Sequence, residues 1–355
     1  MLISIHQVKV GDRLGSDIFN GYGLLVLSAH TELSVDDIEK LKLHKIDEVD
    51  IAFPDDPESD AARDESPPAR TEHAASAAAV AAYHEAVDGM KNIFEQAIQK
   101  GIVYKNQIDN GFNPLVQQVH QVRDVVSLLL VLNNTDDYTY QHSVQVGMIS
   151  YYIAKWLGQS ERDAILTGKA GYLHDIGKSL IDPAILQKPE KLTAEEYERM
   201  KKHSIYGYEL LQRSGLPAEV CLAALQHHER LDGSGYPYGL RGEEIHPLSK
   251  IVAVADIYSA MISSRVYQKK RDLLFVLREL HRCSFGQIDP HITQLFIRHM
   301  VPNFIGKKIQ LASGETGTIV LTHPTDVFRP LVNLDGTFID LSERTDLEVE
   351  HIFAD

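Results

Sequence analysis

Only two cysteines, Cys221 and Cys283, occur in the 355 residues. No disulfide framework can brace such a chain, and the expected setting is a reducing compartment in which both act as small core hydrophobes. Long apolar runs are also missing: no stretch approaches the roughly eighteen residues that a membrane helix needs. The start, Met1-Leu2-Ile3-Ser4-Ile5-His6, has neither the basic opening nor the long apolar stretch and cleavage site of a secretory signal. A cytoplasmic location away from membranes is the expectation. Positive charge is scarce as well, with 35 Lys and Arg against 50 Asp and Glu for a net charge of −15. That balance excludes the broad basic face needed to hold nucleic acid polymers or anionic lipid. An anionic small molecule would have to be held by local positive charge. The 17 histidines make metal ions one source of it.

Residues 1–53 read as a small α/β accessory module, with β-type runs at Ile3–Val10, Gly23–Leu27 and Glu48–Ile51 around a helix at Val35–Leu43. Ser34 and Asp37 form a capping-box pattern at that helix start. Residues 54–75 are rich in proline and acid and poor in large apolar side chains, the composition of a disordered linker. Helical periodicity then runs through residues 76–302, expected to form an all-α domain. It opens with Val80, Tyr83, Val87, Met90, Phe94 and Ala97, a short seam suited to packing on the chain's own domain or to a homodimer interface. Further helices are expected at Pro114–Leu132, Tyr140–Leu157, Arg162–His174, Ala194–Gln212, Ala218–His228, Pro247–Ser263 and Asp272–His281. Residues 303–355 change to short alternating strands around Ser313-Gly314 and Asp335-Gly336 turns, a small β module. The fold class is mainly α, with a small module at each end.

The central helices carry His142, His174-Asp175, His203, His227-His228 and Asp256. Imidazole and carboxylate suit Mn, Fe, Co, Ni or Zn, and a carboxylate can bridge two ions. Helical spacing aims several of them inward. His142 shares a face with Val146, Ile149 and Ile153; His174 follows Leu166, Ala170 and Leu173; Asp256 lies between Ala253 and Ala260. A single inward histidine is more often a hydrogen-bonded core residue than a ligand. So many buried polar groups in one domain, however, need a shared partner to offset their desolvation, and a metal centre supplies one.

His174-Asp175-Ile176-Gly177-Lys178 resembles the motif of the HD phosphohydrolases. His227-His228-Glu229-Arg230-Leu231-Asp232-Gly233-Ser234-Gly235-Tyr236-Pro237 resembles the signature of their HD-GYP subgroup. The resemblance covers roughly residues 115–300 and implies an all-helical HD-domain bundle. It assigns His142, His174, Asp175 and Asp256 to one metal and His203, His227 and His228 to a second, with Asp175 bridging. Family members hold Fe, Mn or other divalent ions, among which Ni, Co and Zn stay open. Some relatives bind a third ion through a glutamate one turn before the first histidine. Tyr138 stands there, and a phenol is a poor charged ligand near neutral pH, so two ions per chain are expected.

The same resemblance implies metal-dependent hydrolysis of a cyclic dinucleotide, cyclic di-GMP to pGpG, in bacterial second-messenger signalling, with a further cut to GMP left open. Two alternatives stay open: another cyclic or linear dinucleotide such as cyclic GMP-AMP, and a nucleotide sensor or scaffold with weak catalysis. Asp175 and Lys178 are the expected catalytic residues. Lys178, Arg265, Tyr236 and Gly235 are the expected substrate contacts, and the Gly233–Pro237 loop is an expected contact for a diguanylate cyclase domain. Ser259 stands where an aspartate is frequent and Gln268 where a second basic residue is frequent, with Lys269, Lys270 and Arg271 nearby.

Overall fold

The computed structural model describes residues 2–5, 7–15, 18–19, 25–27, 31–43, 46, 48–51, 69–119, 138–262, 273–323 and 326–353. The chain divides into two compact units, residues 1–74 and 75–355. In the first, β1 (Leu2–Ser4) pairs antiparallel with β4 (Glu48–Asp50), while β2 (Ile18–Phe19) pairs with β3 (Leu25–Leu27). Helix α1 (Val35–Leu43) starts where the capping pattern puts it. Asp37 N–H donates to Ser34 Oγ at 3.2 Å, and Ser34 N–H donates to Asp37 Oδ2 at 3.1 Å. Leu14, Leu33, Leu41 and Val49 form its core with Ile5, Ile18, Leu27 and Ile46.

Helix α2 (Ala69–Lys100) begins inside the stretch expected as linker, of which residues 54–68 lie outside the described residues. Its run of alanines favours helix. Five of the six seam residues, Tyr83, Val87, Met90, Phe94 and Ala97, are buried in the chain's own core.

Helix α3 (Lys105–Val119) contains Pro114 in its interior. The expectation that a helix starts at that proline is corrected, because Ile108, Phe112, Leu115, Val116 and Val119 make one buried stripe running through it. The stripe is pinned by Phe112. A Cβ on Gly147 would come within 2.8 Å of the Phe112 ring and one on Gly168 within 2.6 Å, so both glycines exist to admit it. The two glycines sit on α4 (Tyr138–Trp156) and α5 (Glu161–Leu173), which Ser160 caps by accepting from Asp163 N–H. Tyr172 completes the lock by donating to Ala86 O on α2 at 2.7 Å.

After α5 come a 3₁₀ turn (Ile176–Leu180), the short α6 (Pro183–Leu186), α7 (Ala194–Lys201) and α8 (His203–Arg213). The single helix expected over 194–212 is thus two, broken at Lys202. Next are α9 (Ala218–Gln226), α10 (Pro247–Ile262), α11 (Leu273–Cys283) and α12 (Pro290–Met300). Among the described residues no helix is long and apolar enough to cross a membrane.

The chain ends in an antiparallel sheet of order β8-β7-β6-β5-β9. Its strands are β5 (Lys308–Leu311), β6 (Thr316–Leu321), β7 (Leu331–Leu334), β8 (Thr337–Asp340) and β9 (Val349–Ile352). The β7–β8 turn uses Asp335 at φ 48° and Gly336 at φ 89°, as a two-residue hairpin requires. Ile309, Leu311, Val332 and Val349 belong to the same hydrophobic core as the helices.

Gly168→Ala tests the Phe112 lock. The added methyl must displace a buried ring, a cost of roughly 1–3 kcal/mol, and should lower the thermal midpoint measurably. An unchanged midpoint in calorimetry would show that the ring moves aside freely.

Candidate metal centre

The site is assembled from helix ends. His174 follows the last residue of α5, His203 opens α8, and His227-His228 follow α9, whereas His142 and Asp256 lie within α4 and α10. Gly177 permits the central approach, since any Cβ there would overlap His203 O and Gly207 N of α8. Asp175 is thereby pressed between two groups of imidazoles and is only 1% exposed.

Its two oxygens face different groups. Oδ2 lies 3.3 Å from His174 Nε2 and 3.9 Å from His142 Nε2. Oδ1 lies 3.3 Å from His203 Nε2 and 3.8 Å from His227 Nε2. Two clusters with ligand-capable spacing share this carboxylate, His142-His174-Asp175 and Asp175-His203-His227-His228. Asp256 borders both: its Oδ1 is 3.0 Å from His142 Nε2 and 3.8 Å from His174 Nε2, and its Oδ2 is 3.7 Å from His228 Nδ1. All seven residues proposed from sequence are therefore together. His174 Nε2 and Asp175 Oδ1, both buried, have no hydrogen-bond partner. Orphaned donor atoms of this kind fit divalent cations, which the imidazole and carboxylate chemistry favours.

The electrostatics suit the same role. Burial holds His203 down to about 4 and His227 to about 3, and drives His228 well below the usual imidazole range, so these rings stay neutral and keep a lone pair. Burial also lowers His142. For Asp175 burial pushes upward, but the Lys178 and His174 charges outweigh it and hold the carboxyl well below its ordinary value. For Asp256 too burial pushes upward and is outweighed by the neighbouring histidines, so the carboxyl is held well below its ordinary value. The Lys178 ammonium is ion-paired with Asp175 Oδ2.

At the mouth, Tyr236 lies over His228 with ring centroids 4.6 Å apart. Lys201 Nζ sits 5.7 Å from the Tyr236 ring and 5.5 Å from Tyr197. Gly235 has no space for a side chain against Arg230 N, Glu229 Cα and His228 O. Tyr138 stacks on His142 at 5.7 Å and 10°. Arg265, Gln268, Lys269, Lys270 and Arg271 lie outside the described residues.

Sequence reasoning passed over Glu229. It is 2% exposed, and its two oxygens accept from Tyr238 N–H at 2.8 Å and Leu240 N–H at 3.0 Å, which ties down the loop that carries Tyr236. The available signal was an acid directly after two inward histidines, where no charge belongs unless it is bonded. Glu229→Ala leaves two N–H groups without acceptors, at about 1.5–3 kcal/mol for each charge-assisted bond. Faster amide exchange across residues 229–241 than in the wild type is expected by mass spectrometry; equal protection would remove Glu229 as the anchor.

The HD domain family matches residues 127–292. The chain is 35% identical over 210 residues to the cyclic di-GMP phosphodiesterase PA4108 of Pseudomonas aeruginosa, covering 58% of this chain and 50% of the relative. It is 35% identical over 191 residues to the 3'3'-cGAMP-specific phosphodiesterase 1 of Vibrio cholerae, covering 52% and 44%. The chain thus spans about half the length of these curated relatives. Among solved structures, Bd1817, an HD-GYP-type protein of Bdellovibrio bacteriovorus, shares the fold at a TM-score of 0.50 and 19% identity, over 83% of this chain and 97% of that one. The HD-domain match thus falls on the helical part of the chain that carries the His174-Asp175 and His227–Pro237 motifs.

Proposed function

We propose that the chain hydrolyses a cyclic dinucleotide, cyclic di-GMP first, opening it to pGpG and cutting onward to GMP. The observation that carries this reading is the buried Asp175 carboxylate shared by two imidazole clusters, the donor arrangement suited to a pair of divalent ions. His142, His174, Asp175 and Asp256 would hold one ion and Asp175, His203, His227 and His228 the other, with iron or manganese the best match to the mixed nitrogen and oxygen set. Such a pair, when bound, supplies Lewis acidity toward a phosphodiester and a water of lowered pKa.

The chain's own residues supply position and charge. Asp175 keeps the two halves in register, and Lys178, fixed beside it, contributes a cation to the floor of the site. Tyr236 offers an aromatic face next to His228 for a base, Gly235 lets backbone approach the ligand, and Lys201 adds positive charge beside that face. Arg265, nine residues past Asp256, is assigned to substrate phosphate, where a planar fork grips two oxygens. The Gly233–Pro237 loop is the proposed contact for a diguanylate cyclase domain.

The similarity to the Vibrio cholerae relative supports a second reading, in which cyclic GMP-AMP is the substrate. Turnover assays of the purified chain with both cyclic dinucleotides separate the two. No hydrolysis of either, with metals bound, would leave a sensor.

Asp175→Ala should abolish turnover and lower metal content in a folded protein, because both clusters lose their shared oxygen donor. Wild-type activity and metal content in that variant would sink the dinuclear reading. Elemental analysis should give two ions per wild-type chain, and a third only in Tyr138→Glu, where an anionic oxygen is restored one turn before His142. Three ions in the wild type would overturn this count.

Arg265→Ala should keep its metals while losing roughly tenfold or more in apparent substrate affinity, the worth of one charge-assisted contact. Steady-state kinetics with an unchanged KM and kcat would place phosphate recognition elsewhere.

A further inference from the structure

Three of the imidazoles that present Nε2 to the centre donate from Nδ1 to a main-chain carbonyl. His174 bonds Gly171 O at 2.7 Å, His203 bonds Met200 O at 2.7 Å and His227 bonds Ala223 O at 3.1 Å. A carbonyl only accepts, so in each neutral ring the backbone places the proton on Nδ1 and leaves Nε2 with a free lone pair. His142 is held differently. Its Nδ1 lies 3.0 Å from Ser259 Oγ, and a hydroxyl can either donate or accept. If Ser259 donated to Nδ1, the ring proton would sit on Nε2, 3.0 Å from Asp256 Oδ1, and a protonated Nε2 cannot ligate.

Gln145 removes the ambiguity. Its Oε1 accepts the Ser259 hydroxyl proton at 2.9 Å, which leaves the Ser259 lone pairs to accept from His142 Nδ1–H. The amide is oriented in turn, since Gln145 Nε2–H donates to Tyr83 OH at 3.5 Å and Tyr83 OH donates to Gln141 O at 3.5 Å. Gln145, Ser259 and Tyr83 are each exposed by 1% or less, so solvent water is not at hand to replace a missing member.

We infer that Gln145, acting through Ser259, is a positioning residue that holds His142 in the tautomer able to bind a metal. It touches neither substrate nor metal, and its role rests on the reading of His142 as a ligand. The relay also links α2 to the centre: Tyr83, Gln145, Ser259 and His142 lie on three helices, and the direction of every bond follows from the amide orientation.

The test uses the full chain loaded with Mn(II) and no nucleotide. Gln145→Met removes the acceptor at nearly constant volume, whereas Gln145→Glu keeps an acceptor facing Ser259. With circular dichroism unchanged, Gln145→Met should release metal to a chelator about 10- to 100-fold faster than the wild type, the usual effect of losing a ligand's outer partner. Gln145→Glu should restore release to near the wild-type rate, a rescue that a mere packing role would not produce. Should Gln145→Met fail to fold, Ser259→Ala carries the same expectation. Wild-type release from Gln145→Met, or equally fast release from both Gln145 variants, would overturn the inference. Because no substrate is present, a failure of the cyclic dinucleotide reading leaves the role of Gln145 standing, while a wild type that binds no divalent metal overturns both.

Discussion

A carboxylate 1% exposed in the middle of a helical domain is the constraint around which the second unit is built. Burying Asp175 as an anion is tolerable only if cationic or strongly polar partners surround it. Lys178 supplies one charge directly, whereas the four imidazole Nε2 atoms at 3.3–3.9 Å offer lone pairs that would favour the anion only through cations held between them. The neighbours of those imidazoles are fixed by the same need. Helix ends supply the acceptors: Gly171 O near the end of α5, Ala223 O near the end of α9 and Met200 O at the α7–α8 break each accept from a ring nitrogen as well as from a main-chain N–H. Placing histidines at helix ends thus orients the rings through carbonyls that the helices already present.

The packing further out serves the same geometry. His142 and His174 can meet only if α4 and α5 run unusually close, and Gly171 allows it, since a Cβ there would come within 2.7 Å of Val146 O. Phe112 fills the hollow left by Gly147 and Gly168, so close approach leaves no void in the core. On the other side, Gly177 brings the 3₁₀ turn onto α8. The glycines of this domain therefore set the distances between ligand-bearing helices, and their effect on the centre is transmitted through backbone position.

Much of this was legible in the sequence, for reasons that differ by element. The seven His and Asp residues stood out because helical spacing put several of them among apolar side chains, where an uncompensated polar group is costly. The β5–β8 hairpins announced themselves through Ser313-Gly314 and Asp335-Gly336, whereas β9 has no such turn to mark it and forms by adding to the edge of β5. Pro114 misled because proline prefers a helix start; the buried stripe from Ile108 to Val119 outweighed that preference. The break at Lys202 has no proline or glycine at it to mark it in the sequence. Glu229 and Gln145 were invisible for a common reason: each acts through hydrogen bonds to residues distant in the chain or across a loop, and periodicity carries no information about such pairs.

The charge distribution limits how a ligand can be captured. With a net charge of −15 the protein does not draw an anionic dinucleotide from a distance, and long-range steering of the kind that speeds association would act against it. Any attraction to an anion would come from close cations such as Lys201 and from metal ions where these are bound. Exposed charges are screened beyond about 8–10 Å at physiological salt, so the unfavourable far field fades while contacts within the cleft persist. The Glu229-anchored loop would contribute a term independent of ionic strength, because Tyr236 is already seated against His228 and little conformational freedom would be lost if a ligand ring stacked on it. A ligand reaching such a site would meet a preformed short-range surface made by the buried carboxylate, the histidine cluster and the tethered tyrosine.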